Sequence, residues 1–171
     1  MSKPKPFQRF VDGTAGRFEV LVDDPALRAM VQACKRAGSK ETGGILIGRL
    51  QGDGRIASVC EATEKPADSS AGWTWFQRGS HGLRGLLVKR WETGLHYLGE
   101  WHFHPGAGCQ PSGADLSAMA AIALDERYAC AEPMLIILGG RPPDAFQLSV
   151  TVFPRGESTI ALSGCPLSRF K

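Results

Sequence analysis

The segment GEWHFHPGAGCQPSGAD, residues 99–115, carries the pattern that most constrains this chain. Its first half continues a run that predicts a strand over residues 97–104, and His102 and His104 lie two positions apart on that strand. Because successive side chains of a strand point to opposite faces, both imidazoles are expected to leave the same face. The strand alone therefore brings two nitrogen ligands together.

The second half of the segment supplies a third possible ligand. Pro105 ends the predicted strand, a glycine-containing loop follows, and Ser112 begins a predicted helix whose first turn holds Asp115. Two histidines and an aspartate leave one position open on a tetrahedral zinc ion, which is the arrangement of catalytic zinc sites. Ser-x-x-Asp is also similar to a helix-capping box, so capping is a second interpretation of the same pair.

Strands and helices alternate on both sides of this segment, which predicts a mixed α/β fold in a single domain. Hydrophobic periodicity predicts one helix that begins near Asp23 and another that includes residues 83–91. Residues 64–72 are polar and predict a loop, and Trp73 and Trp75 after it are candidates for one wall of a substrate groove. The predicted strands cover residues 17–22, 43–50, 55–62, 97–104, 134–138 and 146–153.

Two stretches together resemble a known family. The pattern His-x-His-Pro, five residues, Pro-Ser-x-x-Asp over residues 102–115 matches the signature of the JAB/MPN/Mov34 (JAMM) zinc metallopeptidases. The stretch ETGGILIG at residues 41–48 is similar to the segment that carries the family's upstream glutamate. The resemblance extends over about residues 20–152. The amino-acid sequences of both stretches are most similar to those of the small prokaryotic JAB type associated with bacterial ubiquitin-like conjugation systems.

The resemblance implies a fold, a cofactor and a set of site residues. The implied fold is the JAB/MPN fold, cytidine-deaminase-like, in which a mixed, curved β-sheet is flanked by helices. His102, His104 and Asp115 are implied as ligands of Zn2+, which makes water reactive at neutral pH. Glu41 is implied as the general base and acid, and Ser112 as a donor that helps to hold the tetrahedral oxyanion.

Three positions close to the ligands leave alternatives open. Glu100 shares the strand face of the histidines and is a rival general base, although we expect it to lie behind the ligands or at the rim of the site. Cys109 is expected to be a partly exposed spectator thiol, and a redox-sensitive or metal-binding cysteine is the alternative. Phe103 stands where the family usually has a small polar residue, and its side chain is expected to point away from the histidine face.

Composition and charge narrow the class of protein. Of 171 residues, 43% are hydrophobic and 22% are charged, which is typical of a globular domain and excludes wholesale disorder. The formal net charge of +3 is too small to indicate a dedicated nucleic-acid binder, so no nucleic acid is expected as a partner. The odd number of cysteines, without a CxxC pair, indicates thiols in a reducing compartment.

Localisation and domain boundaries follow from the apolar and basic stretches. No apolar run approaches the roughly 20 residues of a spanning helix, and the first ten residues lack the apolar segment of a signal peptide. We therefore expect a cytoplasmic protein without a membrane partner. The expected boundaries are a basic, proline-containing tail over residues 1–14, a JAB/MPN domain over residues 15–163 and a C-terminal tail over residues 164–171.

The resemblance implies an isopeptidase or peptidase that cleaves after the C-terminal tail of a ubiquitin-like protein, within an antiphage conjugation operon. Its expected partners are that modifier or its conjugate and an E1- or E2-like enzyme, and the oligomeric state stays open. An extended tail is expected to dock beside an exposed strand edge. The alternatives are processing of a sulfur-carrier protein, a metal-free JAB scaffold that binds partners, and a RadC-like protein linked to DNA.

Overall fold

The structure is a computed structural model that describes residues 6–165. Within these residues the chain forms ten strands, three α-helices and one 3₁₀-helix. The strands are β1 (Pro6–Val11), β2 (Glu19–Asp23), β3 (Thr42–Gln51), β4 (Ile56–Ala62), β5 (Ser70–Ala71), β6 (Phe76–Gln77), β7 (His96–Pro105), β8 (Met134–Arg141), β9 (Ala145–Val152) and β10 (Ile160–Cys165). The helices are α1 (Asp24–Ala37), α2 (Leu83–Trp91) and α3 (Gly113–Leu124), and the 3₁₀-helix is Glu126–Tyr128.

The predicted mixed α/β architecture is confirmed, but the shape of the sheet is not. Among the described residues, eight strands close into a barrel in the order β1-β10-β9-β8-β7-β3-β4-β2, and the curved, cytidine-deaminase-like sheet that the resemblance implied is not confirmed. Neighbouring strands of the barrel are antiparallel, except for the pairs β2–β4 and β7–β8, which are parallel. Closure occurs because β1 pairs with both β2 and β10, which joins the two edges. Strands β5 and β6 form a separate two-stranded hairpin.

Parts of both expected tails belong to strands of the barrel. Residues 6–11 form β1, and its Phe10 is only 4% exposed because it packs into the main core. The chain turns directly after β1, where the Asp12 carboxylate accepts backbone N–H groups of residues 14, 15 and 17. At the other end, Gly164 belongs to β10 and pairs with Phe10. Residues 1–5 and 166–171 lie outside the described residues.

Helix α1 begins and ends as the sequence predicts. Asp23 occupies the N-cap with extended backbone, although its side chain makes no capping hydrogen bond, and a proline lies in the first turn. Leu27, Met30 and Cys34 form the buried stripe that the 3.6-residue period predicts. Gly38 ends the helix at φ 64°, a left-handed value that favours glycine.

The central strands β3, β7 and β8 are covered on both faces, which makes them a rigid support for a site. One face packs into the main core with α1, and Trp101 and Phe103 of β7 point into it. On the other face, α2 and α3 cover two smaller apolar clusters. The expectation that Phe103 points away from the histidine face is therefore confirmed. None of the helices in residues 6–165 combines the length and the apolarity needed to cross a membrane.

Candidate metal centre and active site

Strand β7 brings the two histidines to one end of the barrel. It lies between β3 and β8, and His102 pairs with Gly43 on one side and with Ile137 on the other. His102 is 8% exposed and packs edge-on against the ring of Phe76, with ring centroids 5.2 Å apart. Strand pairing on both sides therefore fixes the backbone of His102, and Phe76 packs against its ring.

A glycine opposite His102 makes room for this packing. A Cβ at Gly43 would lie 2.3 Å from the Trp101 carbonyl oxygen, 2.8 Å from Cε1 of Phe76 and 3.0 Å from Cδ2 of His102. Real Cβ atoms do not approach a backbone oxygen so closely, so this position requires glycine. The Gly43–Gly44 pair thus has a packing role next to the site.

The first turn of α3 places the third candidate ligand against both histidines. Asp115 Oδ1 lies 2.6 Å from Nδ1 of His102, and Oδ2 lies 3.4 Å from Nε2 of His104. The capping interpretation is also confirmed, because the Ser112 hydroxyl accepts the Asp115 N–H at 3.1 Å and the Asp115 carboxylate accepts the Ser112 N–H at 2.8 Å. The capping box and the ligand cluster therefore use the same carboxylate, and the hydrogen bonds of the cap orient it toward the histidines.

The charges of this cluster support one another. Burial by itself would raise the pKa of Asp115, but hydrogen bonds from His102, His104 and the Ser112 N–H outweigh it and hold that pKa well below the ordinary range. The hydrogen bond and the charge of Asp115 raise the pKa of His104 above its ordinary value, against the effect of burial. Asp115 is thus a carboxylate over the whole working range of pH, as a metal ligand must be.

The donor set fits a zinc ion, although the cluster is drawn together by hydrogen bonds. Nitrogen and oxygen ligands lie about 2.0–2.2 Å from zinc, so two ligands of a tetrahedral ion are about 3.3 Å apart. The 3.4 Å between His104 and Asp115 agrees with that spacing, whereas the 2.6 Å between His102 and Asp115 is a direct hydrogen bond. Within residues 6–165 no three His, Cys, Asp or Glu side chains form a ready-made metal cluster. Zinc binding would replace the His102–Asp115 hydrogen bond.

Glu41 directly precedes β3 and lines the same groove as His104. Its backbone N–H donates to the Gly72 carbonyl at 2.8 Å, which fixes the residue at the point where the chain enters the strand. Burial raises the pKa of the half-buried Glu41 carboxyl, His104 and His102 oppose this effect, and Asp115 adds to it. A carboxylate with a raised pKa beside two imidazoles can accept and return a proton at neutral pH.

A groove of about 380 Å³ connects these groups to solvent. Trp73 and Thr74 line it together with residues of the loop that follows His104. Of the two tryptophans considered for such a groove, Trp73 lines it and Trp75 does not. The residues that line the groove are Glu41, Trp73, Thr74, His104, Pro105, Ala107, Gly108, Gln110 and Ser112.

Glu100, the alternative general base, is held in an ion pair with Arg78. Both of its carboxylate oxygens accept from Nε of Arg78 at 2.8 Å, and Oε1 also accepts from the Tyr97 hydroxyl at 3.2 Å. The Glu100 and Arg78 side chains are 5% and 13% exposed, so this is a buried ion pair. Glu100 is therefore buried and ion-paired, and it is not among the residues that line the groove.

Cys109 is more deeply placed than expected. It is 9% exposed and packs with Met119, Leu135 and Ile137 in the apolar cluster under α3. Its Sγ lies 4.0 Å from the Gln147 side-chain oxygen. The expectation of a partly exposed thiol is corrected, and these contacts favour a packing role over a metal-binding or redox-sensitive one.

The sequence did not identify the residues that hold the site from behind. Phe76, Arg78 and the Gly72 carbonyl contact His102, Glu100 and Glu41, and all three belong to the segment that was predicted only as a loop followed by aromatic residues. No regular spacing links them to the histidines. The weak signal was the run of aromatic residues directly after a polar loop.

Residues 23–150 match the family described as prokaryotic homologs of the JAB domain. The chain belongs to this family. A protein of Enterobacter hormaechei subsp. hoffmannii (strain UCI 50), named CD-NTase/cGAS isopeptidase, is 50% identical to this JAB protein over 145 residues, which cover 85% of the chain and 81% of the relative. A protein of the same name from Pseudomonas aeruginosa (strain BWHPSA011 / Pa011) is 30% identical over 104 residues, which cover 59% of the chain and 63% of that relative.

The JAB fold is also found among solved structures. The solution structure of a protein from Desulfitobacterium hafniense superposes with a TM-score of 0.62 at 17% identity, over 83% of this chain and 88% of that one. At this identity the likeness concerns the fold alone.

Proposed function

We propose that this JAB protein is a zinc-dependent isopeptidase that hydrolyses the amide bond between the carboxyl end of one protein and a lysine amine of another. The observation that carries the proposal is the convergence of Glu41, His104 and Ser112 on one groove, with His102 and Asp115 directly behind it. The relatives named CD-NTase/cGAS isopeptidase support the same class of reaction.

The proposed zinc ligands are His102, His104 and Asp115. When bound, zinc would act as a Lewis acid on the scissile carbonyl and make water nucleophilic at neutral pH. The Glu41 carboxylate accepts a proton from the attacking water and returns it to the departing lysine amine. A positioned acid–base group of this kind contributes about 10²- to 10⁴-fold to the rate.

Ser112 has two successive roles in this proposal. Its hydroxyl now donates to Oδ2 of Asp115 at 2.8 Å, which steadies the carboxylate. When Asp115 binds metal through its oxygens, that hydroxyl becomes available to donate to the oxyanion that forms on the scissile carbonyl. Loss of one oxyanion donor costs about 10²- to 10³-fold in turnover.

The first substrate class to consider is a conjugate that contains a CD-NTase/cGAS protein, because both curated relatives carry that name. A ubiquitin-like modifier, matured or released from its target beside E1- and E2-like enzymes of an antiphage system, is the second. The barrel strands are closed on each other, so the edge for an extended substrate segment is the β5–β6 hairpin beside the groove.

The test begins with zinc per chain in wild type and His104→Ala, and continues with cleavage assays. The substrates are a CD-NTase–lysine conjugate, a ubiquitin-like fusion and a sulfur-carrier fusion, each incubated with zinc-loaded wild type and with Glu41→Gln. We expect about one zinc in wild type, its loss in His104→Ala, and cleavage of the CD-NTase conjugate that Glu41→Gln abolishes. If wild type binds no zinc even when the metal is supplied, or if no substrate is cleaved, the proposal is contradicted and a partner-binding scaffold is favoured.

A further inference from the structure

The indole of Trp73 stands largely in solvent at the mouth of the catalytic groove. Its exposed fraction is 72%, although tryptophan buries more apolar surface than any other side chain when it is covered. It lines the groove together with Glu41 and His104. A large apolar surface held open beside catalytic groups is characteristic of a contact that a ligand completes.

The backbone around Trp73 is fixed, so the exposure does not come from a free loop. The Gly72 N–H donates to the Trp75 carbonyl at 2.9 Å, which closes a tight turn with Trp73 and Thr74 at its tip. The carbonyl of Gly72 holds the Glu41 N–H at 2.8 Å, so the turn is attached to the candidate base itself.

The other strand of the hairpin is anchored to the barrel. Phe76 packs on the ring of His102, and Arg78 forms the buried ion pair with Glu100. Beyond it, the Asp68 carboxylate accepts the N–H groups of Ser80 and His81, both at 2.9 Å. The backbone that carries the indole is therefore held in place before any substrate arrives, which lowers the entropic cost of binding.

The chemistry of the groove indicates what the indole contacts. Ala107 and Gly108 also line the groove, and the small methyl group of Ala107 and the lack of a side chain at Gly108 let an extended main chain approach closely. The charged or titratable residues that line the groove are Glu41 and His104, both already assigned to catalysis. A charged substrate side chain at the mouth finds no further partner among the lining residues, whereas an aliphatic or aromatic one can cover the indole.

We propose that Trp73 is a specificity-determining residue that binds an apolar side chain of an extended peptide segment next to the scissile bond. This inference rests on the proposed isopeptidase function. Because Trp73 contributes binding and does not touch the reacting atoms, its loss raises KM and leaves kcat nearly unchanged.

The test compares Trp73→Ala with Trp91→Ala, a matched control on α2 that is 69% exposed and does not line the groove. Zinc content and thermal unfolding of both variants are measured first. With a CD-NTase–lysine conjugate as substrate, we expect KM to rise about 10- to 30-fold in Trp73→Ala, as for truncation of an interface tryptophan, with partial recovery in Trp73→Phe. Trp91→Ala is expected to match wild type.

A binding measurement separates this inference from the proposed function. The fluorescently labelled conjugate is titrated with Glu41→Gln, with and without the added Trp73→Ala change, and its anisotropy gives Kd. A Kd that rises about tenfold in the double variant supports the role of Trp73 even if wild type cleaves nothing, in which case the proposed reaction alone has failed. Equal Kd values, equal KM values in Trp73→Ala and Trp91→Ala, or no binding at all, overturn the inference.

Discussion

At the scale of single residues, two glutamates near the histidines have opposite surroundings. Glu41 lines the solvent groove, and its pKa is raised chiefly by burial, with two imidazoles and a carboxylate nearby. Glu100 is saturated by Arg78 and Tyr97 under the protein surface. The two side chains therefore differ in what their loss does: one removes a proton acceptor, and the other removes the counter-charge of a buried guanidinium.

Glu100→Gln is expected to lower the free energy of unfolding by about 3–5 kcal/mol, because it leaves Arg78 charged and unpaired in the interior. Glu41→Gln is expected to change it by less than about 1 kcal/mol, since that carboxyl has no buried ion pair. Urea denaturation of both variants measures the difference. If only Glu100→Gln abolishes cleavage while zinc stays bound and the fold stays stable, the assignment of Glu41 as the base is wrong.

The clustering of the proposed ligand residues could be predicted from the sequence because their geometry is local, and their role as ligands came from the family resemblance. His102 and His104 share a face by the period of a strand, and Ser112 caps its own helix three residues before Asp115. Glu41 could be assigned only through the family resemblance, because it reaches the groove by long-range pairing of β3 with β7. Phe76 and Arg78 escaped detection for the same reason.

At the scale of elements, the pairing of β3 with β7 decides where His102 stands. These strands are in contact along most of their length, and Gly43 lies directly opposite His102. The helices and central strands could be predicted from periodicity and turn residues, whereas the β5–β6 hairpin could not, since each of its strands has only two residues. A strand of two residues is too short to show the alternation of apolar and polar side chains that predicts a strand.

Gly43→Ala is expected to destabilise the protein by about 1–3 kcal/mol and to weaken zinc binding, because the added methyl group overpacks the space between Phe76 and His102. Gly85→Ala is the matched control: nothing lies within 4 Å of its Cβ, and alanine in the middle of α2 is expected to stabilise by up to about 1 kcal/mol. Chemical denaturation and zinc competition with a chelator measure both effects. A Gly43→Ala protein that binds zinc as tightly as wild type contradicts this account of the strand pair.

At the scale of the whole molecule, barrel closure was the feature that sequence reasoning missed. Strand β1 reads PFQRFV after a basic, proline-containing stretch, and β10 has six residues with three exposed polar or small positions, so neither resembles a core strand. Their pairing joins parts of the chain more than 150 residues apart. Such contacts depend on the complete fold and leave no local signature in either segment.

Because this fold holds the Asp115–His104 pair, the stability of the whole metal-free protein is expected to depend on pH in two windows. The pKa of Asp115 is lowered, so its contribution is present above about pH 4 and is lost as pH falls through its folded value. The pKa of His104 is raised, so its contribution is full below about pH 6.5 and is lost as pH rises through the higher folded value. The pair is thus fully stabilising only between these limits.

Bound at the proposed site, zinc is expected to reverse the pH dependence above about pH 6.5, because only a deprotonated imidazole can bind a metal ion. With a chelator present, the unfolding free energy of wild type should fall from about pH 6 to 8 relative to that of His104→Gln, which lacks the titrating group. With zinc present, the stabilisation that the metal adds should grow over the same range, as its affinity for the native state rises. Urea denaturation at each pH, with chelator and with zinc, gives the four curves. Parallel curves for the two chelated proteins would show that His104 does not pair with Asp115. A stabilisation by zinc that does not change with pH would show that His104 does not bind the metal.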